Sequence, residues 1–93
     1  MLRTEDRFFL KQLVRNAFSL SFSEKEVDEE KIVGDTEREL ERVNNYYYND
    51  VVVYSFVELA LFREGYQKEA EMFNRIWWEY HFCLAREFKG EIR

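Results

Sequence analysis

Residues 51–77 read VVVYSFVELALFREGYQKEAEMFNRIW, and this stretch decides the fold. It consists of an apolar run, a short polar interruption around Gly65, and a second segment whose apolar residues recur at intervals of three or four. Apolar residues at that spacing form one face of an α-helix, and glycine readily adopts the left-handed conformation in which many helices end. The stretch therefore predicts two antiparallel helices joined by a tight turn.

The helix after this turn is predicted over about residues 66–89. The chain contains no proline and only three glycines, so Gly34, Gly65 and Gly90 are the positions at which helices are predicted to end. The residues of its predicted inward face are Ala70, Phe73, Ile76, Trp77, Tyr80, Leu84 and Phe88.

The helix before the turn is predicted over about residues 36–64. Its apolar residues keep helical spacing through the segment NNYYYND at 44–50, which contains neither glycine nor proline. One continuous helix of this length would extend about 43 Å. Two alternatives remain open. One is a break near residues 49–50, because asparagine and aspartate are poor helix formers and good caps. The other is a strand hairpin from residues 46–48 and 51–54, which are rich in strand-forming residues.

Two shorter helices are predicted ahead of this hairpin, over about residues 4–19 and 24–33. Thr4 is a good N-cap for the first helix, and Ser23 with Glu26 forms a capping box for the second. Together the four segments predict an all-α fold, a small helical bundle built on the long antiparallel hairpin.

Length and composition restrict the class of protein. The 93 residues suit one domain, residues 1–93, and 35% of them are charged. No apolar run approaches the roughly 20 residues that span a membrane, and the N-terminus shows no signal peptide. The single cysteine, Cys83, cannot form an internal disulfide, which fits a reducing compartment. We therefore expect a cytoplasmic protein with no membrane association.

The formal net charge of −5 argues against general affinity for nucleic acid, because such binding draws its energy from neutralising phosphates. One basic row nevertheless recurs every four residues along the first predicted helix. A row of this kind suits phosphates or an acidic partner surface, and nucleic-acid binding through it is the weakest functional hypothesis. The alternative is a solvated face docked on the acidic segment 24–43. The row consists of Arg3, Arg7, Lys11 and Arg15.

The sequence lacks standard catalytic and metal-binding machinery. His81 is the only histidine and Cys83 the only cysteine. Side chains two residues apart on a helix do not face each other, so these two cannot form a nucleophile–base pair within one chain. A zinc site takes several Cys or His ligands, and these two are the whole supply. We predict no metal and no cofactor.

One catalytic pattern remains, formed by Arg75 and His81 near the C-terminus with five residues between them. It resembles the Arg-x(4–6)-His motif of HEPN-domain ribonucleases, which are small helical bundles that act as dimers. The resemblance implies that Arg75 and His81 bind and cleave the RNA backbone. This sequence fills the gap with IWWEY, where the family usually has a polar residue after the arginine. The alternative is a surface arginine and a partly buried histidine that is hydrogen-bonded locally.

Aromatic residues make up 18% of the chain and are its most informative feature. Beyond its inward face, the last helix carries a second apolar row that includes Trp78 and Phe82, and the preceding segment is apolar nearly all round over residues 51–62. A helix that is apolar on two sides is either central or covered by another molecule. Two short helices cannot cover both long ones, so we predict an interface with a protein partner or a second copy.

The consecutive residues Tyr46, Tyr47 and Tyr48 fit the same interpretation. Three consecutive helical positions span about 200°, so at least one ring is expected to face outward, and tyrosine is a common binding hot spot. Core packing within one chain is the alternative for all of these aromatic residues. The functional hypothesis is a homodimeric, non-enzymatic protein–protein interaction module. It would act as an adaptor, inhibitor or assembly subunit, a class that includes toxin-immunity proteins and virus-encoded inhibitors.

Overall fold

The computed structural model describes residues 2–43 and 50–92, with side chains for residues 2–43 and 52–80. Within these ranges the chain forms four α-helices and no strand, which confirms the all-α class. The helices are α1 (Thr4–Leu20), α2 (Glu29–Arg42), α3 (Asp50–Arg63) and α4 (Gln67–Ile92).

The four helices pack in cyclic order: α1 contacts α2 and α4, and α3 contacts the same two helices. One core runs through all of them, because Val14, Val33, Leu61 and Phe73, one from each helix, are each fully buried. Burying a large apolar side chain contributes about 1.5–3 kcal/mol. At about 39 Å, α4 is nearly twice as long as α3, which is about 21 Å.

The prediction that a helix over residues 24–33 ends at Gly34 is wrong. α2 begins only at Glu29, where the Asp28 side chain accepts a hydrogen bond from the Lys31 N–H, and it runs on through Gly34. Its buried face is continuous across the glycine and consists of Ile32, Val33, Thr36, Glu37 and Leu40. Glycine inside a helix costs about 1 kcal/mol relative to alanine. The burial of this face outweighs that cost.

The prediction of one continuous helix over residues 36–64 is also wrong. α2 ends at Arg42 with Val43 as its C-cap, and α3 packs against α2 instead of continuing it. Leu40 is buried but Val43 is 43% exposed, so the apolar stripe already leaves the core at the end of α2. α3 begins at Asp50, at the predicted break, and residues 51–54 are helical rather than extended. The predictions for Tyr46, Tyr47 and Tyr48 lie outside the described residues.

The ends of α1 and α3 share one hydrogen-bond pattern. In both helices the residue after the C-cap adopts a left-handed conformation, and its N–H and the next N–H donate back into the last turn. That residue is Phe22 with φ 52° after α1, and Gly65 with φ 85° after α3. The bonds are Phe22 N–H to Ser19 O (3.1 Å), Ser23 N–H to Phe18 O (3.0 Å), Gly65 N–H to Phe62 O (3.0 Å) and Tyr66 N–H to Leu61 O (3.0 Å).

The two left-handed residues give a matched pair of stability predictions. A left-handed conformation costs an L-residue roughly 1–2 kcal/mol and costs glycine almost nothing. Phe22 is 89% exposed, so burial offsets little of that cost. We expect Phe22→Gly to raise the free energy of unfolding by about 1 kcal/mol.

Gly65→Ala should lower the free energy of unfolding by a similar amount. No atom lies within 4 Å of an added Cβ at Gly65, so backbone conformation is the only cost there. Urea denaturation followed by circular dichroism measures both changes. A destabilised Phe22→Gly protein would show that the phenyl ring stabilises the monomer.

Candidate functional site

The basic row of α1 faces the acidic side of α2. Arg7 bridges two carboxylates, those of Glu30 at 3.0 Å and of Glu37, and the Lys11 ammonium also pairs with Glu30. Glu37 is buried, with 8% of its surface exposed. A buried carboxylate requires a charged partner, so the role of Arg7 here is to stabilise the fold.

The other two bases of the row differ from each other. Arg15 forms two hydrogen bonds of 2.8 Å with the carboxylate of Glu29, and these bonds lower the pKa of Glu29. Arg3 instead pairs with Asp6 in its own helix at 3.2 Å, and its side chain is 79% exposed. Three of the four bases are therefore paired with α2. This arrangement corresponds to the docked alternative rather than to a phosphate-binding row.

We expect Arg7→Ala to lower the free energy of unfolding by about 2–3 kcal/mol, because it leaves the Glu37 carboxylate buried without its cation. Lys11→Ala, which removes a cation from the exposed Glu30, should cost less than 1 kcal/mol, as exposed ion pairs do. A second substitution, Glu37→Gln, should recover part of the loss in the Arg7→Ala protein. Equal costs for Arg7→Ala and Lys11→Ala in urea denaturation would contradict this assignment.

A second buried carboxylate, Glu69, lies in the first turn of α4 and is 2% exposed. Burial pushes its pKa up, but a hydrogen bond from Ser23, its own backbone N–H and the charges of Lys25 and Lys68 outweigh burial, so the pKa falls below its usual value. Nearby, the Tyr66 hydroxyl donates to the Glu26 carbonyl at 3.1 Å. These contacts attach the α1–α2 connection to the start of α4.

Lowered carboxylate pKa values predict acid destabilisation. The pKa values of Glu29, Glu39 and Glu69 lie below the ordinary 4.5, those of Glu29 and Glu39 chiefly because arginines donate hydrogen bonds to them. Below about pH 4.5 the unfolded chain binds protons that the folded chain does not, so stability present above this pH is lost as pH falls through the folded pKa values. Urea midpoints measured from pH 6 to pH 3 should therefore decline. Glu69→Gln should make that decline shallower, and midpoints that rise on acidification would exclude the assignment.

The predicted ribonuclease pair is placed on α4. The Arg75 side chain is 73% exposed and lies 3.9 Å from Glu79, one turn further along the helix. His81 lies on the same helix, but its side chain is outside the described residues. Six positions along an α-helix correspond to about 9 Å and to a difference of about 120° around the axis. The ribonuclease hypothesis stays a prediction.

Three aromatic rings join α3 to α4 inside the bundle. The centroid of the Tyr54 ring lies 3.6 Å from that of Trp77 and 4.7 Å from that of Phe73. The Tyr54 hydroxyl donates to the Phe73 carbonyl at 3.5 Å, and burial raises the pKa of Tyr54. Because Trp77 is only 5% exposed, its neighbour Trp78 is directed outward and is 46% exposed.

The outer face of the α3–α4 pair carries exposed apolar side chains. On α3, Leu59 is 36% exposed and Phe62 is 40% exposed. The Asn74 amide of α4 lies 3.5 Å from the Glu58 carboxylate of α3, so these two residues mark where the outer sides of the helices meet. Phe62 is one turn beyond Glu58 and Trp78 one turn beyond Asn74. Because consecutive helices with a short connection run antiparallel, the two aromatic rings lie on opposite sides of this polar contact.

Burial raises the pKa of Glu58, and the nearby Glu71 raises it further, while the hydrogen bond from Asn74 lowers it. Its carboxylate lies beside Leu59, Phe62 and Trp78 on the outer face. The charged form of Glu58 is thus partly desolvated.

Sequence patterns identified only part of this face. Trp78 was predicted from its position beside the inward stripe, whereas Phe82, the next member of its row, has a side chain outside the described residues. Leu59 and Phe62 were not singled out, although the apolar character of residues 51–62 on all sides was the available signal. The left-handed conformation of Phe22 was not predicted, since nothing in the local sequence indicates it.

The described residues contain no group of three or more His, Cys, Asp and Glu side chains placed to hold a metal ion. None of the helices in the same part of the chain has both the length and the apolar content needed to cross a bilayer. No protein family, curated protein or solved structure matches this chain. Function is therefore inferred from the surfaces themselves.

Proposed function

We propose that this protein is a non-enzymatic interaction module that binds a second copy of itself through the outer face of α3 and α4. The observation that supports this is the exposure of Leu59, Phe62 and Trp78 on adjacent helices whose opposite sides fill the core. Apolar patches on soluble domains mark interaction sites, and aromatic residues are enriched at the centres of interfaces. An adaptor, inhibitor or assembly subunit would use such a face.

The arrangement of this face favours a two-fold pair. In a two-fold interface the same patch occurs on both copies, so each residue on one side needs a complement on the other. Phe62 and Trp78 lie on either side of the Glu58–Asn74 contact. A second copy can lie face to face with the first, related to it by a two-fold axis that passes by this contact. The Phe62 ring of each copy then meets the Trp78 ring of the other.

The energy of this pairing suits a weak dimer. Burying the exposed part of each large aromatic side chain contributes about 2–3 kcal/mol, and the two-fold pair has four of them. Association itself costs at least about 4 kcal/mol. Because that cost is a minimum, the difference is at most about 8 kcal/mol, which corresponds to a dissociation constant no tighter than the micromolar range.

The proposed interface extends to residues that were predicted from sequence alone. Phe82 follows Trp78 by one turn on α4, and Tyr46, Tyr47 and Tyr48 precede α3 in the chain. The proposal keeps a cytoplasmic location, which is supported by Cys83 being the only cysteine.

Charged substitutions on this face should separate the copies without unfolding them. We expect Trp78→Glu, Phe82→Glu and Phe62→Glu to weaken concentration-dependent association in analytical ultracentrifugation by removing the two-fold pair, while each copy stays folded. Trp77→Glu should unfold the protein, because its ring is buried against Tyr54 and an unpaired charge in a core costs several kcal/mol.

Two variants serve as controls for the dimer. Phe8→Glu changes an exposed phenyl ring on α1, which is 63% exposed and distant in sequence from this face, so it should leave the dimer intact. Glu58→Gln keeps a hydrogen-bonding partner for Asn74 and removes the central charges, so it should tighten the dimer. A wild-type chain that sediments as a monomer at several hundred micromolar would refute the proposed self-association.

A further inference from the structure

Phe22 is a strained and exposed aromatic residue at one end of the bundle. Its backbone is left-handed with φ 52°, and its side chain is 89% exposed. The equivalent position after α3 is occupied by Gly65, which adopts this conformation without strain. Strained residues that the fold does not need are concentrated at functional sites. The phenyl ring therefore has no evident use inside the monomer and extends into solvent from a rigid helix end.

A cleft of about 160 Å³ opens toward the other end of α1. Its lining combines apolar and aromatic side chains with the Arg3–Asp6 ion pair. The apolar and aromatic residues are Leu2, Phe9, Leu10, Val53, Tyr54 and Trp77. An enclosed apolar cavity of about 150 Å³ holds one benzene ring, so the volume of this open cleft matches one phenyl side chain.

From these two features we infer that Phe22 of one copy inserts into the Leu2–Trp77 cleft of a second copy. Phe22 follows the last turn of α1, whereas Phe9 of the cleft lies 13 positions earlier, about 20 Å along the helix. No chain can fill its own cleft with its own Phe22 across that distance. The contact therefore joins two unlike patches on different copies. It is separate from the α3–α4 face, where like patches meet, and does not depend on that proposal.

The cleft carries charges of both signs. Arg3 lies at the cleft with its side chain 79% exposed and pairs with Asp6, which also lines the cleft. Glu24 and Glu26, close to Phe22 in the chain, are both exposed. Insertion of Phe22 thus brings Glu24 and Glu26 toward Arg3, where they compete with Asp6 for its guanidinium.

The test uses two variants that damage opposite sides of the contact. Phe22→Ala removes the inserted ring and keeps the cleft, whereas Arg3→Glu repels the acidic segment and keeps Phe22. In sedimentation velocity over 10–500 µM, we expect each variant to associate at least tenfold more weakly than its parent. The parent is the Trp78→Glu protein, in which the α3–α4 face is disabled, and the series is repeated in the wild-type chain.

Mixing the two variants tests whether Phe22 of one copy meets the cleft of another. A one-to-one mixture should recover association, because the Phe22 of the Arg3→Glu copy fits the intact cleft of the Phe22→Ala copy. Methyl resonances of Val53, which lines the cleft, should shift on mixing and should stay fixed in either variant alone.

Phe8→Ala is the matched control. Like Phe22→Ala it removes an exposed phenyl ring, in this case one on α1, and it should leave association unchanged. The inference is overturned by unchanged association of Phe22→Ala, by an equal loss in Phe8→Ala, or by a mixture that does not associate. If Trp78→Glu leaves sedimentation unchanged while Phe22→Ala weakens association, the two-fold proposal fails and this one stands. If Trp78→Glu weakens association while Phe22→Ala leaves it unchanged, only the Phe22 inference is rejected.

Discussion

The tilted ring contact between Tyr54 and Trp77 is the contact on which the surface of this protein depends. With ring centroids 3.6 Å apart and both side chains buried, it fixes how α3 and α4 are rotated about their axes. Once Trp77 faces the core, Trp78, 100° further around the helix, must face away from it. The same constraint on α3 buries Tyr54, Val57 and Leu61 and leaves Leu59 and Phe62 outside. One aromatic contact in the core therefore determines the composition of the outer face.

Sequence was sufficient for elements whose signals are local. The apolar period of α1, the glycine between α3 and α4, and the inward position of Trp77 all follow from spacing and backbone preference. It was insufficient where packing overrides propensity. Gly34 has the low helix propensity of a terminator, yet the burial of Val33 on one side and Leu40 on the other carries α2 through it. The low helix propensity of Gly34 costs about 1 kcal/mol, which is less than the free energy gained by burying the five-residue face of α2.

The prediction of one continuous helix over residues 36–64 failed for a different reason. Helical spacing between residues 40 and 61 exists in the sequence, but periodicity alone does not show whether two helical segments are collinear or folded back. The deciding contacts are long-range, including the 3.0 Å pair of Arg63 with Glu39 that links α3 to α2. Such pairs depend on which charged faces meet in three dimensions. The basic row of α1 was ambiguous for the same reason, since its acidic complement lies on another helix.

The division of charge within the chain explains why the surfaces proposed for association are mainly apolar. α2 carries most of the acidic excess and uses it on Arg7, Lys11 and Arg15, so the strongest charges of the bundle are paired across the α1–α2 seam. Arg3 is the member of the row left outside this seam, and it lies beside the aromatic cleft. Ion pairs at an exposed surface contribute little to affinity but select orientation, whereas buried aromatic area supplies most of the binding energy. In the proposed contacts, a chain that pairs its charges internally and leaves Phe22, Phe62 and Trp78 exposed would therefore depend on shape and aromatic burial for binding, with Arg3 selecting the register.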